Sequence, residues 1–148
     1  KMDESLRGYW DYCGLNLLFV SRLLEERLES RLATYGVTLR ELMVLRLIAD
    51  DAFIKQKELD LYVGHFHEPI RKTLDSLESK LLINREHKRR CGKRVSLADV
   101  TESGIALLKK ADTILRRQEE IFLGHLPRAT RVGVNSTLEN VLKKTLTH

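Results

Sequence analysis

Residues 56–64, QKELDLYVG, and residues 67–100, HEPIRKTLDSLESKLLINREHKRRCGKRVSLADV, decide how this chain folds. The first stretch reads as a short helix closed by Gly64, because glycine enters the left-handed backbone region without a Cβ clash. In the second, Ile70, Leu74, Leu77 and Leu81 recur at helical spacing and predict a helix from His67 or Pro69 to Leu81. Arg71, Lys72, Asp75, Ser76 and Ser79 fall outside that apolar stripe. From Ile83 the period changes. Ile83–Arg90 is polar and extended in pattern, Cys91-Gly92 suits a tight turn, and Lys93–Val100 sets Val95 and Leu97 on one face. Together these predict a β-hairpin. Two helices about a glycine turn, followed by a basic hairpin, are the parts of a winged helix-turn-helix.

The flanks read as helices. Leu6, Trp10, Cys13, Leu17, Val20, Leu24 and Leu28 step by three and four along Asp3–Thr34, and Tyr9, Leu18 and Phe19 widen the stripe. A helix of that length spans about 45 Å and overhangs a small domain, so its apolar face calls for a partner chain. Gly36 is a stop signal. Thr38-Leu39-Arg40-Glu41 has the form of a capping box, and Leu42, Leu45 and Ile48 carry a second helix to Asp50. Thr101-Glu102-Ser103-Gly104 starts a helix that Ile105, Leu108, Ala111, Leu115 and Phe122 continue to Gly124. Pro127 breaks it, and Leu138, Val141 and Leu142 lie on a last helix. The expected fold is mainly α with a small β-hairpin wing. Residues 1–36 and 102–148 are expected to form a helical dimerisation region around a winged helix-turn-helix region, 37–101, in one intertwined unit.

Composition supports this. The chain has 148 residues, 43% of them hydrophobic, which suffices for one domain with a real core. Two prolines, eight glycines and 6% aromatics favour long helices over a sandwich or barrel. Between Gly64 and Leu97 stand nine basic and four acidic residues, an excess equal to the net charge of +5 on the whole chain. Positive charge concentrated in this way suits a polyanion. The two cysteines, Cys13 and Cys91, are far apart and form no CxxC or disulfide framework. No signal peptide and no apolar run near 18 residues are visible, so a cytoplasmic protein without membrane contact is expected.

Catalytic motifs are absent. There is no phosphate-binding GxxxxGK, no HExxH, no nucleophile elbow and no dinucleotide fingerprint, so neither an enzyme nor a bound cofactor is expected. His65, His67 and Glu68 have metal-ligating chemistry, but adjacent loop residues rarely converge on one ion, and no metal site is expected. Cys91 has basic neighbours that favour its thiolate.

The chain resembles the MarR family (multiple antibiotic resistance regulators) from about Leu17 to Leu142. Gln56-x-Glu58-Leu59 with Val63-Gly64 is similar to the first helix of the family's DNA-binding pair. Leu77 to Arg85 is similar to the end of its recognition helix running into the wing, and Thr101-Glu102-Ser103-Gly104 to its threonine-x-x-glycine after the wing. Departures from the pattern are Asp60 at a position usually small, His65-Phe66-His67-Glu68-Pro69 before the recognition helix, and Gly92 in place of the usual wing aspartate.

The resemblance implies a homodimer on a near-palindromic operator in double-stranded DNA, acting as a repressor or activator of transcription. It further implies a small-molecule effector bound between the dimer and DNA-binding regions. In this reading His67, Glu68, Arg71 and Lys72 address the major groove, and Arg85, Lys88, Arg89, Arg90, Lys93 and Arg94 on the wing meet phosphates. Tyr9, Trp10, Tyr12 and Cys13 line a ligand pocket or serve as dimer core. Cys13 stands at a distance from Thr38 similar to that of the sensing cysteine in the family's organic-hydroperoxide regulators, but Leu17 and Arg27 occupy the places of two supporting tyrosines. A winged helix can also use its recognition face to bind a protein, and Phe66 and Glu68 suit that alternative. Steep salt dependence of duplex binding distinguishes the two.

Overall fold

A computed structural model describes residues 11–64 and 68–146, with the side chains of Arg94 and Val95 outside the description. The chain runs through helices α1 (Cys13–Leu32), α2 (Leu39–Asp50), α3 (Gln56–Val63) and α4 (Ile70–Ser79). Strands β1 (Ile83–Arg90) and β2 (Lys93–Val100) follow, then helices α5 (Glu102–Leu123) and α6 (Arg128–Leu146). It is mainly helical with one antiparallel hairpin, as the periodicities predict. Among the described residues no helix is long and apolar enough to cross a membrane.

The first helix differs from its expected extent. Tyr12 is extended (φ −99°, ψ 107°), so α1 begins at Cys13, and the part expected from Asp3 to Trp10 lies outside the described residues. Gly14 lies in the first turn of α1, and glycine is a poor helix former. At its other end α1 tightens into a 3-10 turn, Ala33–Tyr35, closed by Gly36 at φ 72°.

The capping box of α2 forms as read. Thr38 Oγ1 accepts from the Glu41 amide at 3.1 Å, and the Thr38 amide donates to Glu41 Oε1 at 3.0 Å. Glu29 of α1 adds a second acceptor there, taking the Leu39 amide at 3.0 Å. This places a carboxylate at the positive end of α2 and joins the two helices.

Helix α4 is shorter than predicted at both ends. Pro69 is extended (ψ 141°) and stands just before the helix. At the far end Leu81 takes φ 59°, which lets the Leu82 amide reach Leu77 O at 3.0 Å and the Leu81 amide reach Glu78 O at 3.0 Å. That pair of bonds is a Schellman closure with leucine where glycine usually stands. Leu77 and Leu82 pack together in the core beneath it.

The hairpin pairs Ile83 with Val100 through Arg90 with Lys93, and Cys91 and Gly92 both take positive φ, as a two-residue turn of this hand requires. A backbone bond, from the Ala98 amide to Ala52 O at 3.0 Å, attaches β2 to the loop after α2. Leu32, Val44, Leu45, Ile48, Leu59, Leu77 and Ile83 are the centre of one core joining α1 to α4 with the root of the wing. The N-terminus of α5 closes on that core. Thr101 Oγ1 donates to Leu81 O at 2.6 Å and accepts from the Gly104 amide at 3.1 Å. A Cβ on Gly104 would strike Leu82 O and the Val100 side chain, so the threonine-x-x-glycine signature is a close backbone approach.

Candidate nucleic-acid interface

Helix α4 buries Ile70, Thr73, Leu74 and Leu77, which turns Arg71, Lys72 and Asp75 outward. Arg71 and Lys72 have no carboxylate partner among the described residues. One turn on, Asp75 accepts from Arg85 of β1, whose Nη2 lies 2.6 Å from Asp75 Oδ1 and whose Nε lies 2.9 Å from Glu78 Oε2. Arg85 thus brings the base of the wing against the outward row of α4. The hydrogen bond from Arg85 holds the Glu78 carboxyl below its ordinary range, and the same bond raises the Arg85 guanidinium. Of the basic residues assigned to the wing, Arg85 is therefore already matched by two acids.

The outer wing is different. Lys88 approaches Glu86 at 3.5 Å, and Arg90 lies over the Phe53 ring at 5.3 Å from its centroid. Arg89 and Lys93 are exposed and have no carboxylate partner among the described residues. The register sets Arg89 opposite Arg94 and Arg90 opposite Lys93. Like charges directly across a ladder destabilise a hairpin, so the residue types at the two rungs next to the turn work against the isolated hairpin. His87 and Ser96 face each other at 3.2 Å further down.

Two hydrogen-bonded clusters, one on buried Glu41 and one on half-buried Arg40, hold α4 from behind. Glu41, 5% exposed, receives the Ser76 hydroxyl at 2.8 Å and Lys80 Nζ at 2.8 Å on both oxygens, besides the Thr38 amide. Burial pushes the Glu41 carboxyl up. The Lys80 ammonium, the Thr38 amide and the Ser76 hydroxyl outweigh that and hold it below its ordinary value. Arg40 centres the second cluster. Its Nε donates to Thr73 Oγ1 at 3.1 Å, its Nη2 to Glu68 O at 2.7 Å, and its Nη1 to Val63 O at 3.4 Å and to Gly64 O. Sequence reading passed over Arg40. The one signal was a basic residue in the first turn of a helix, where the positive end of the dipole disfavours it.

Glu68 is half-buried and bound through its carbonyl, and His67 lies outside the described residues, as does the Arg94 side chain. Asp60 has a buried Oδ1 with no hydrogen-bond partner among the described residues. Of the residues assigned to a ligand pocket, Tyr12 and Cys13 are exposed, and Tyr9 and Trp10 lie outside the description. Among the described residues no group of three His, Cys, Asp or Glu side chains is placed to hold a metal ion. Cavities lie elsewhere. One of about 560 Å³ is lined by Tyr35, Val37, Lys80, Leu107 and Lys110, and one of about 660 Å³ lies under the wing between Phe53, Gln56, Arg85 and Leu97.

No family model and no curated protein matches the sequence. Solved structures do match. A MarR-family transcriptional regulator from Rhodococcus sp. RHA1 superposes with a TM-score of 0.78 at 21% identity, over 95% of this chain and 97% of that one. CouR from Rhodococcus jostii RHA1, bound to p-coumaroyl-CoA, gives 0.76 at 21% identity, over 90% and 93%. A MarR-family protein of Mycobacterium tuberculosis in complex with DNA gives 0.69 at 22% identity, over 88% and 97%. The chain has the winged helix-turn-helix fold of the MarR-family transcription regulators.

Proposed function

We propose that this protein is a homodimeric, sequence-specific double-stranded DNA-binding transcription regulator that acts as a repressor and is released by a small-molecule effector. The observation that carries the reading is the distribution of charge over the helix and wing. Arg71 and Lys72 on α4, and Arg89 and Lys93 on the wing, stand exposed without acidic partners among the described residues, while Arg85, at the joint between the two elements, is neutralised within the fold. A surface meant only for solvent has no reason to set cation opposite cation at its tip. The major groove, about 12 Å wide, admits one helix, and α4 presents its N-terminal half to it. Lys88, Arg89, Arg90, Lys93 and Arg94 meet phosphates along the flank, with Arg85 fixing the angle of the wing. The likeness of fold to a protein solved with DNA and to one solved with p-coumaroyl-CoA supports both the nucleic-acid partner and an effector.

The dimer is supported by apolar surface. Helix α6 has no buried residue, and Leu17, Leu18, Phe19, Val20 and Leu23 of α1 are exposed. Two recognition helices related by a twofold axis would then reach successive major grooves about 34 Å apart.

The test is a titration of the full chain against duplex from its own upstream region, with random duplex as control, over a series of salt concentrations. A site affinity near 10⁻⁸ M or tighter, random binding weaker by about 10³ or more, and a steep salt slope are expected. Absence of binding at low salt would refute the DNA reading and put a protein partner on the same face in its place.

A further inference from the structure

Among the described residues, no side-chain cap of its own fixes the start of α4. Gly64 ends α3 at φ 68°, and α4 starts after Pro69. Both sides of the turn between them are bound instead by Arg40, which is 23 to 33 residues away in sequence from the groups it holds. Val63 O and Gly64 O lie at the negative end of α3, where a cation is favoured. Glu68 O precedes α4, and Thr73, 1% exposed, lies inside it. A guanidinium offers five donors in one rigid plane, so binding three carbonyls and a hydroxyl at once fixes direction as well as distance. An ammonium cannot do this.

We propose that Arg40 is the positioning residue of the DNA interface: it fixes where and at what angle the recognition helix starts, and thereby sets sequence preference without touching DNA. The inference rests on the reading that α4 enters the major groove. Its physical content is a difference in range. Hydrogen bonds to base edges fail with small misplacement or misalignment. Attraction between a lysine or arginine and a phosphate decays over a screening length of about 8–10 Å and tolerates such a shift. Loosening the Arg40 clamp therefore removes preference and leaves general affinity in place.

The experiment uses the full chain and a duplex enriched by the wild type from a randomised pool, with a scrambled duplex of equal composition as reference. Arg40→Lys keeps the charge and loses the fork. Its preference for the enriched duplex should fall about tenfold or more, the scale of one lost bidentate base contact. Its affinity for the scrambled duplex should stay within about twofold with the same salt slope, because the phosphate contacts are unchanged. Thr73→Val removes only the acceptor on α4 and should shift preference the same way by a smaller factor. It also decides the matter if Arg40→Lys does not fold. Unchanged preference in the folded variants, or equal loss on both duplexes, overturns the inference. A wild type that enriches no sequence overturns the underlying reading of α4, and the two failures are separable because only the second appears without any mutation.

Discussion

Leu81 sits at φ 59° with its side chain 70% exposed, so it bears the crowding of a left-handed backbone and gains little burial in return. For an L-residue that conformation costs about 1–2 kcal/mol, while a glycine there adds about 0.5–1 kcal/mol of unfolded-chain entropy. Leu81→Gly should therefore stabilise the protein by roughly 0.5–1 kcal/mol. The change would be read as a higher urea midpoint at unchanged slope and fixed protein concentration, and a lower midpoint would show that the leucine holds something its exposure hides. Glu41 behaves oppositely with pH. Its carboxyl is lowered in the fold despite burial, because Lys80, Thr38 and Ser76 favour its charged form. Its contribution is complete above the ordinary glutamate value of 4.5 and is lost as pH falls through the lower folded value. Glu41→Gln should lose stability at neutral pH, by about 2 kcal/mol since Lys80 is left without its anion. Its stability should also fall less steeply than that of the wild type below about pH 4.5. Parallel acid-denaturation curves for the two proteins would remove Glu41 from the linkage.

At the scale of elements, what the sequence shows and what it hides divide along a physical line. Gly64, the Thr38–Glu41 box, the Cys91-Gly92 turn and Thr101 through Gly104 act within a few residues of themselves, and each could be read directly. Tertiary bonds over long separations could not: Lys80 to Glu41, Arg85 to Asp75 and Arg40 to the turn before α4 leave no local pattern. The ends of α4 do not follow from the periodicity either. Leu81 continues the apolar period, and only the backbone shows it closing the helix rather than extending it. The wing is legible as a hairpin, while its division into a neutralised root and a tip where Arg89 and Lys93 have no acidic partner among the described residues is not. That division makes a prediction. Arg89→Ala should lower the magnitude of the salt slope for duplex binding by about one, uniformly over sequences, and should leave the free protein no less stable, because it removes a cation from across Arg94. Arg85→Ala should destabilise the fold, through Asp75 and Glu78, more than it alters the salt slope. If Arg85→Ala changes the slope as much as Arg89→Ala does, the two arginines are equivalent and the division fails.

For the whole molecule the decisive quantity is surface. A compact monomer of 17.2 kDa exposes about 7,800 Å², and this chain exposes 11618 Å², about half as much again. Helix α6 is 19 residues long with none of them buried, and Val132, Leu138, Val141 and Leu142 are 38–60% exposed on it. Monomers rarely leave contiguous apolar patches above a few hundred Å² uncovered, and a large homodimer interface of about 2,000–5,000 Å² in total would remove about 1,000–2,500 Å² from each chain, a part of the excess. In a twofold interface each substitution acts twice. Leu138→Glu with Val141→Glu should therefore give a folded monomer, seen by sedimentation equilibrium, with helical content and wing unchanged. Such a monomer keeps each recognition helix and loses only their linkage. Its affinity for a two-half-site duplex should drop by about 10²–10⁴, the advantage that effective concentration gives a second site, while binding to a single half-site stays near the wild-type value. A double variant that remains dimeric would move the interface off α6. A monomer that binds both duplexes as the wild type does would mean that each winged helix works alone, and the twofold spacing of about 34 Å would then have no part in recognition.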